Sequence, residues 1–211
     1  MHARPDIDGA VEAQTVTDDA LWERMRLDDA EAYALLFERH ARAIYNYCFR
    51  RTADWALAED LTSVVFLEAW RRRTQELQPG KVLPWLYGVA TNVVRNRRRA
   101  SRRYAAALAR VPAPEQTADF ADDVLERVDD EAAMGDVLRA LAKLPRRQRD
   151  VLALCGWSGL SYEEAAAALG IPVGTVKSSL FRARERLREL SGAGGHGRSA
   201  TPSDEECPSD V

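Results

Sequence analysis

Residues 160–190, LSYEEAAAALGIPVGTVKSSLFRARERLREL, decide the fold class, because they hold in order a helix start, a sharp stop and a second amphipathic helix. Ser161 followed by Glu164 is a capping box: the serine oxygen accepts from the backbone N–H three residues on, and the glutamate returns to the cap's own N–H. The helix runs through four alanines, residues 165–168, whose small side chains let another helix cross closely. It stops at Gly170, where a left-handed C-terminal turn suits a residue without Cβ. Pro172 cannot continue the first helix and suits the opening of the second. There Val176, Leu180, Ala183 and Leu187 recur at i, i+4, i+7 and i+11, a narrow apolar stripe that faces the protein. Opposite lie Lys177, Ser178, Phe181, Arg182 and Glu185.

That outer face has two readings. One is an ordinary two-helix corner with a solvated charged surface and Phe181 under a neighbour. The other is a helix-turn-helix whose second helix enters a DNA major groove, where cations take guanine edges and phosphates, Ser takes either, and an aromatic edge meets thymine methyls. Cap, turn and helix faces agree on the second. Its candidate DNA-contacting residues are Thr175, Lys177, Ser178, Phe181, Arg182 and Arg184.

Working outward, 211 residues with 46% apolar and 30% charged content build one or two small cores rather than one large one. A net charge of -3 argues against nucleic acid only on average. Residues 81–103 carry seven cations and no carboxylate, whereas residues 112–136 carry nine carboxylates and only Arg127. A basic patch beside an acidic segment binds polyanion locally. Cys48, Cys155 and Cys207 match no ligand spacing, so neither a metal site nor a disulfide framework is expected, and no cofactor. No signal peptide or membrane-length apolar run is present, which predicts a cytoplasmic protein without membrane insertion.

Residues 1–17 lack periodicity and read as a mobile arm. Helical spacing begins near Asp18 with Leu21 and Met25, and continues through Tyr33, Leu36, Phe37, Ile44, Tyr47 and Cys48. Asp28 and Asp29 start the second helix, and polar residues 39–42 suggest a bend. Asp54 caps a helix with Trp55, Ala58, Leu61, Val65 and Ala69 on one face. Its other face mixes Glu59, Asp60, Thr62 and Ser63 with Val64 and Leu67, which either dock a partner or pack on a neighbouring helix. After a loop containing Pro79 and Gly80, Pro84 opens a helix at its first position. Trp85, Tyr87 and Asn92 precede six arginines within residues 95–103. That order suits unstacked bases followed by a phosphate track, or else core aromatics and a solvated helix end. Residues 105–130 read as an acidic linker with a helical latter part. Val128, Ala132, Val137, Leu138, Leu141 and Leu144 then resume a helical face, closed by Pro145. A short helix over residues 148–155 follows, broken by Gly156 and Gly159, and residues 192–211 form a tail. The expected fold is all-α: two small helical domains, residues 18–104 and 131–191, joined by a flexible linker.

Four strings carry a resemblance: AEDLTSVVFLEAW at 58–70, PWLYGVATNVVRNRRR at 84–99, LAKLPRRQRDVLAL at 141–154 and GLSYEEAAAALGIPVGTVKSSLFRARERL at 159–187. In this order and spacing they resemble the extracytoplasmic-function (ECF) sigma factors of bacterial RNA polymerase. The resemblance implies that the first domain is sigma region 2, which binds the clamp helices of core polymerase and opens the minus-ten element. The second is region 4, which reads the minus-thirty-five element and touches the polymerase flap. It places Glu59, Asp60, Leu61 and Val64 in the core-docking helix. Asn92 falls at a pocket for a flipped non-template base beside Trp85, and Arg95 and Arg99 along the single strand. Thr175, Lys177, Ser178, Phe181, Arg182 and Arg184 fall on the promoter-reading helix. An anti-sigma factor is the further partner the family suggests. Two departures stand out: Ser63 and Val64 replace an amide and a carboxylate, and the loop TQELQ at 74–78 lacks the usual aromatic, basic residue and glycine. The tail is longer than the family minimum and is expected to be a regulatory extension. Such a protein catalyses nothing. The rival readings are a free-standing helix-turn-helix regulator, a nuclease using Glu59 and Asp60, and an interaction adaptor. The first leaves residues 58–99 unexplained, the second has adjacent carboxylates about 100° apart on a helix, and the third needs no arginine run.

Overall fold

The computed structural model describes residues 16–108 and 125–192. Of residues 1–17, read as an arm, 1–15 lie outside the described residues, as do most of the linker, residues 193–211 with Cys207 and the regulatory role expected of the tail; Thr17 is described and caps α1. Among the described residues every regular element is helical: α1 (Asp18–Arg26), α2 (Ala30–Thr52), α3 (Trp55–Arg71), α4 (Val82–Leu108), α5 (Leu125–Ala142), α6 (Arg146–Leu152), α7 (Tyr162–Leu169) and α8 (Val173–Gly192), with a π-helical turn at Ala153–Trp157 continuing α6. None of them is long and apolar enough to cross a membrane.

Local chemistry sets most boundaries. Thr17 accepts from Ala20 N–H at 3.2 Å and Asp29 from Glu31 and Ala32 at 2.9 and 3.1 Å. Asp54 accepts from Leu57 at 2.8 Å. Each satisfies an orphan donor of a first helical turn. The anticipated bend at residues 39–42 does not occur, and α2 is continuous through it. Arg39 and His40 reach back to the Asp18 carboxylate at 2.6 and 2.7 Å, so those polar residues tie α2 to the start of α1 instead of turning outward. Helix α4 begins two residues ahead of Pro84, which therefore stands in the first turn, where a missing N–H still costs no intrahelical bond. It also runs past residue 104 to Leu108, and α5 begins at Leu125, which shortens the stretch read as linker. On α5 the expected face narrows. Leu141 is buried against Ala183, while Val137 and Ala132 are exposed.

Helix α2 is the axis of the first half, with α1, α3 and α4 packed round it and Trp22, Tyr47, Phe66 and Leu86 fully or nearly fully enclosed. The Tyr47 hydroxyl and Thr91 hydroxyl share a buried hydrogen bond of 2.7 Å between α2 and α4. In the second half α6, α7 and α8 enclose Val151, Leu154, Leu160, Val176 and Leu180. The two halves are not independent bodies. Their apolar residues form one continuous core, because α7 crosses α4. The alanines of α7 and Gly88 of α4 allow it: a Cβ on Gly88 would stand 2.5 Å from the carbonyl oxygen of Ala168.

Gly88→Ala sets two effects against each other. Helix propensity alone predicts a gain of about 1 kcal/mol, whereas a methyl driven into a backbone carbonyl costs about 1–3 kcal/mol. Packing should win: the urea midpoint falls and the radius of gyration from small-angle scattering rises. A more stable protein of unchanged size would contradict the close crossing. Separately, the hydrogen bond from His40, and after it Arg39, holds the Asp18 carboxyl below its usual value despite the opposing effect of burial. A depressed folded-state value means that this tie stabilises the protein above the unfolded carboxyl pKa and is lost as pH falls through the folded value. Asp18→Asn should flatten the acid limb of the stability profile, measured by urea titration at stepped pH.

Candidate nucleic-acid interface

The capping box forms as the sequence requires: Ser161 Oγ accepts from Glu164 N–H at 3.2 Å, and Glu164 accepts from Ser161 N–H at 2.9 Å. Gly170 is left-handed, with φ 64°, and turns the chain into α8. Val176, Leu180 and Ala183 are buried, so the opposite half of α8 is presented outward. Lys177, Ser178, Phe181, Arg182 and Arg184 are exposed there and Thr175 is half-buried at the entrance. Phe181 is 61% exposed and is not tucked under a neighbour. The Lys177 ammonium lies over the Tyr162 ring at 5.6 Å, and among the described residues no carboxylate pairs with Lys177 or Arg182. The face thus offers unpaired cations, a hydroxyl and an aromatic edge across about half a helix circumference.

The second face lies on α4. Trp85 is half-buried and meets Trp22 edge to face at 5.0 Å, while Tyr87 is core, edge to face with Tyr47 at 5.4 Å. Trp22 is itself fixed by donating to the Gln75 carbonyl at 3.0 Å, which ties the 72–81 loop to α1. Trp85, exposed Asn92, and Gln78 and Lys81 of that loop line a cavity of about 250 Å³. The same cavity is walled by Ala167 and Ala168 of α7, from the other half of the protein. Arg95 donates through Nη1 to Asn92 Oδ1 at 3.3 Å and through Nη2 and Nε to Asp150 Oδ2 at 2.6 and 3.0 Å. It is therefore in an ion pair rather than free along a strand path. Arg99 is exposed.

On α3, Glu59, Asp60 and Val64 are exposed, and Val64 and Leu67, at 42% and 45%, do not pack on a neighbouring helix. Leu61 is different: at 5% exposed it holds α3 to the core instead of presenting a surface. A groove of about 400 Å³ between α3 and α4 joins Val64 and Leu61 to Asn92. The candidate docking residues and the candidate base pocket are thus neighbours. Among the described residues no cluster of metal-ligating side chains occurs.

Sequence patterning missed Asp150. Fully buried, it receives Arg51 Nη2 at 2.5 Å as well as Arg95, so one carboxylate of α6 joins α2 and α4. Arg50 donates to the Trp157 carbonyl at 2.8 Å and Arg51 to the Arg149 carbonyl at 3.3 Å alongside it. A single acid within the arginine-rich start of α6 was the visible signal, but nothing in the linear pattern named its partners.

An all-helical fold with a helix-turn-helix at one end and an aromatic, amide and arginine face at the other defines a DNA-binding protein of two parts. Residues 36–104 match the family described as Sigma-70 region 2, and residues 134–187 match Sigma-70, region 4. The RNA polymerase sigma factor CarQ of Myxococcus xanthus is 33% identical over 171 residues, covering 81% of this chain and 95% of that protein. The RNA polymerase sigma-H factor of Pseudomonas aeruginosa is 31% identical over 182 residues, covering 81% and 91%. The ECF sigma factor SigE of Mycolicibacterium smegmatis is 34% identical over 157 residues, 73% of this chain, which spans 59% of that longer relative. Among solved structures, the sigma factor RpoE of Bartonella quintana, in complex with the anti-sigma factor NepR, has a TM-score of 0.55 at 27% identity, covering 75% of this chain and 96% of that one. CnrH, in complex with the cytosolic domain of CnrY, shares the fold with a TM-score of 0.64 at 22% identity, covering 84% and 99%. The chain belongs to the ECF RNA polymerase sigma factors, which direct transcription initiation.

Removing one outward-facing cation from α8 leaves the buried side of the helix intact and so tests whether that face reads duplex DNA. Arg182→Ala is expected to lose about 1–3 kcal/mol of binding to a matched minus-thirty-five duplex, read by fluorescence anisotropy of the polymerase holoenzyme. Unchanged affinity would remove Arg182 from the reading face.

Proposed function

We propose that this chain binds core RNA polymerase through the exposed side of α3 around Glu59, Asp60 and Val64. It reads the minus-thirty-five element with α8 and holds an unstacked minus-ten base in the cavity between Trp85, Asn92 and the 72–81 loop. The observation that carries this is the pairing, in one chain, of an unpaired groove-shaped face on α8 with an amide-lined cavity at the head of an arginine-rich helix. No bond is made or broken by the protein. It couples docking to strand opening: unstacking a base costs a few kcal/mol, offset by the cavity contacts and by phosphate pairing with Arg95 and Arg99. Its place of action is the cytoplasm, where polymerase is.

The closed arrangement adds a condition. Asp150 occupies Arg95, and Ala167 and Ala168 wall the cavity, so strand capture requires α7 to leave α4 and Arg95 to exchange a carboxylate for a phosphate. Polymerase supplies the differential binding when it holds regions 2 and 4 apart, as a population shift requires. An anti-sigma factor that binds the closed form acts in the opposite direction. The sigma factor RpoE is solved in complex with the anti-sigma factor NepR, which supports an anti-sigma factor as a partner.

Purified protein added to core polymerase should yield promoter-specific runoff transcripts. Operator binding by the isolated protein without any such transcripts would favour a free-standing regulator. Asn92→Ala should lower open-complex formation by about ten-fold or more, the loss of a good hydrogen bond to a flipped base, while closed-complex binding survives. Equal loss of both would contradict the role of Asn92. Permanganate footprinting separates the two steps.

A further inference from the structure

A second cavity, of about 310 Å³, opens where the arginine-rich half of α4 faces the start of α6. Eight arginines and one acid line it, and that acid is Asp150. Asp150 is already committed to Arg51 and Arg95. Among the described residues no carboxylate pairs with Arg99, Arg102, Arg103 or Arg149. Arg98 spends one donor on the Arg51 carbonyl at 2.6 Å. Burial first, and then the neighbouring Arg51, push the guanidiniums of Arg98 and Arg149 below their usual value, and Arg102 adds to it for both. Like charges brought together in a partly desolvated hollow repel one another. Packing between the two halves holds them there, and one carboxylate faces eight guanidiniums.

Guanidinium forks bind phosphate oxygens bidentately, and several forks converging from two walls ask for several phosphates close together. Adjacent phosphates carry more charge in this volume than spaced carboxylates of an acidic peptide do. A continuous DNA strand is a poor occupant, because the two walls meet only in the closed arrangement, in which α7 walls the base cavity. We propose that this cavity binds a compact polyphosphate anion, either inorganic or the di- or triphosphate end of a nucleotide. Its ligand bridges α4 and α6, stabilises the closed form by mass action and so opposes promoter opening. The regulatory consequence rests on the opening step proposed above, but the binding does not. A chain that transcribes as proposed and binds no polyphosphate overturns this inference alone.

The test is isothermal titration of the full chain at constant, physiological ionic strength with tripolyphosphate, magnesium-free ATP, sulfate and a short single-stranded oligonucleotide. One tripolyphosphate or ATP should bind per chain, about ten-fold or more tightly than sulfate, as a multidentate anion does over a single one. The tighter of the two distinguishes the free anion from the nucleotide as source. The double variant Arg102→Gln/Arg149→Gln, in exposed and half-buried positions, should lose about ten-fold in affinity and melt, without ligand, no lower than the parent. Arg186→Gln, on the exposed side of α8, should bind as the parent does. Four outcomes overturn the proposal: affinity no better than sulfate, equal binding by the double variant, an oligonucleotide that binds more tightly through the same two arginines, or binding seen only after the carboxylates of residues 115–131 are made amides. The last identifies the chain's own acidic run as the occupant.

Discussion

The carboxylate of Asp150 is the point on which the arrangement of this protein turns. A lone buried charge costs several kcal/mol, and only good geometry on both oxygens offsets that. Arg51 takes one oxygen and Arg95 the other, and Arg51 is itself seated beside the Tyr47 ring at 5.8 Å. Because the two arginines stand on α2 and α4 and the acid on α6, satisfying the carboxylate brings region 4 onto region 2. The remaining contacts follow in the same place: Arg50 on the Trp157 carbonyl, and Gly88 against Ala168. Removing either arginine would leave the buried carboxylate uncompensated, which costs about 3–5 kcal/mol.

That packing treats the two proposed DNA faces unequally. The α8 face is outside and unpaired, so duplex reading is compatible with the closed form. The base cavity on α4 is walled by α7 and its first arginine is neutralised. Under the proposed function, sequence recognition and strand capture are separated in one chain, with the interface between the two faces as the element that has to give way. An interface sealed by a small-residue crossing and two ion pairs suits this, since helix shifts at such contacts are discrete rather than gradual.

Charge is distributed along the same division. The arginines of α4 after Arg95 are more than Asp150 can neutralise, and four of them, Arg98, Arg99, Arg102 and Arg103, line the cavity where α4 faces α6. That excess is what the proposed polyphosphate site rests on. An average charge of -3 conceals it, because the acidic run lies elsewhere in the chain.

Most of the secondary structure was legible in the linear chain, since its signals act over three or four residues: the Ser161–Glu164 box, the Asp29 and Asp54 caps, the Gly170 turn and the apolar stripe of α8 are all local hydrogen bonds or local periodicity. The family strings added the two regions and their likeness to sigma factors. Where the reading failed, a distant partner was responsible. Residues 39–42 looked like a bend until Asp18 accounted for their polarity, whereas Leu61, which periodicity set on the apolar face of α3, is indeed enclosed by the core. The sequence by itself determined that the protein is helical, that it carries a helix-turn-helix and that residues 81–103 hold seven cations and no carboxylate. Only the tertiary structure decided that the halves share one core, that Asp150 holds Arg95, and that α7 walls the base cavity. Those contacts join residues more than fifty positions apart, and no local propensity encodes which buried charge finds which partner.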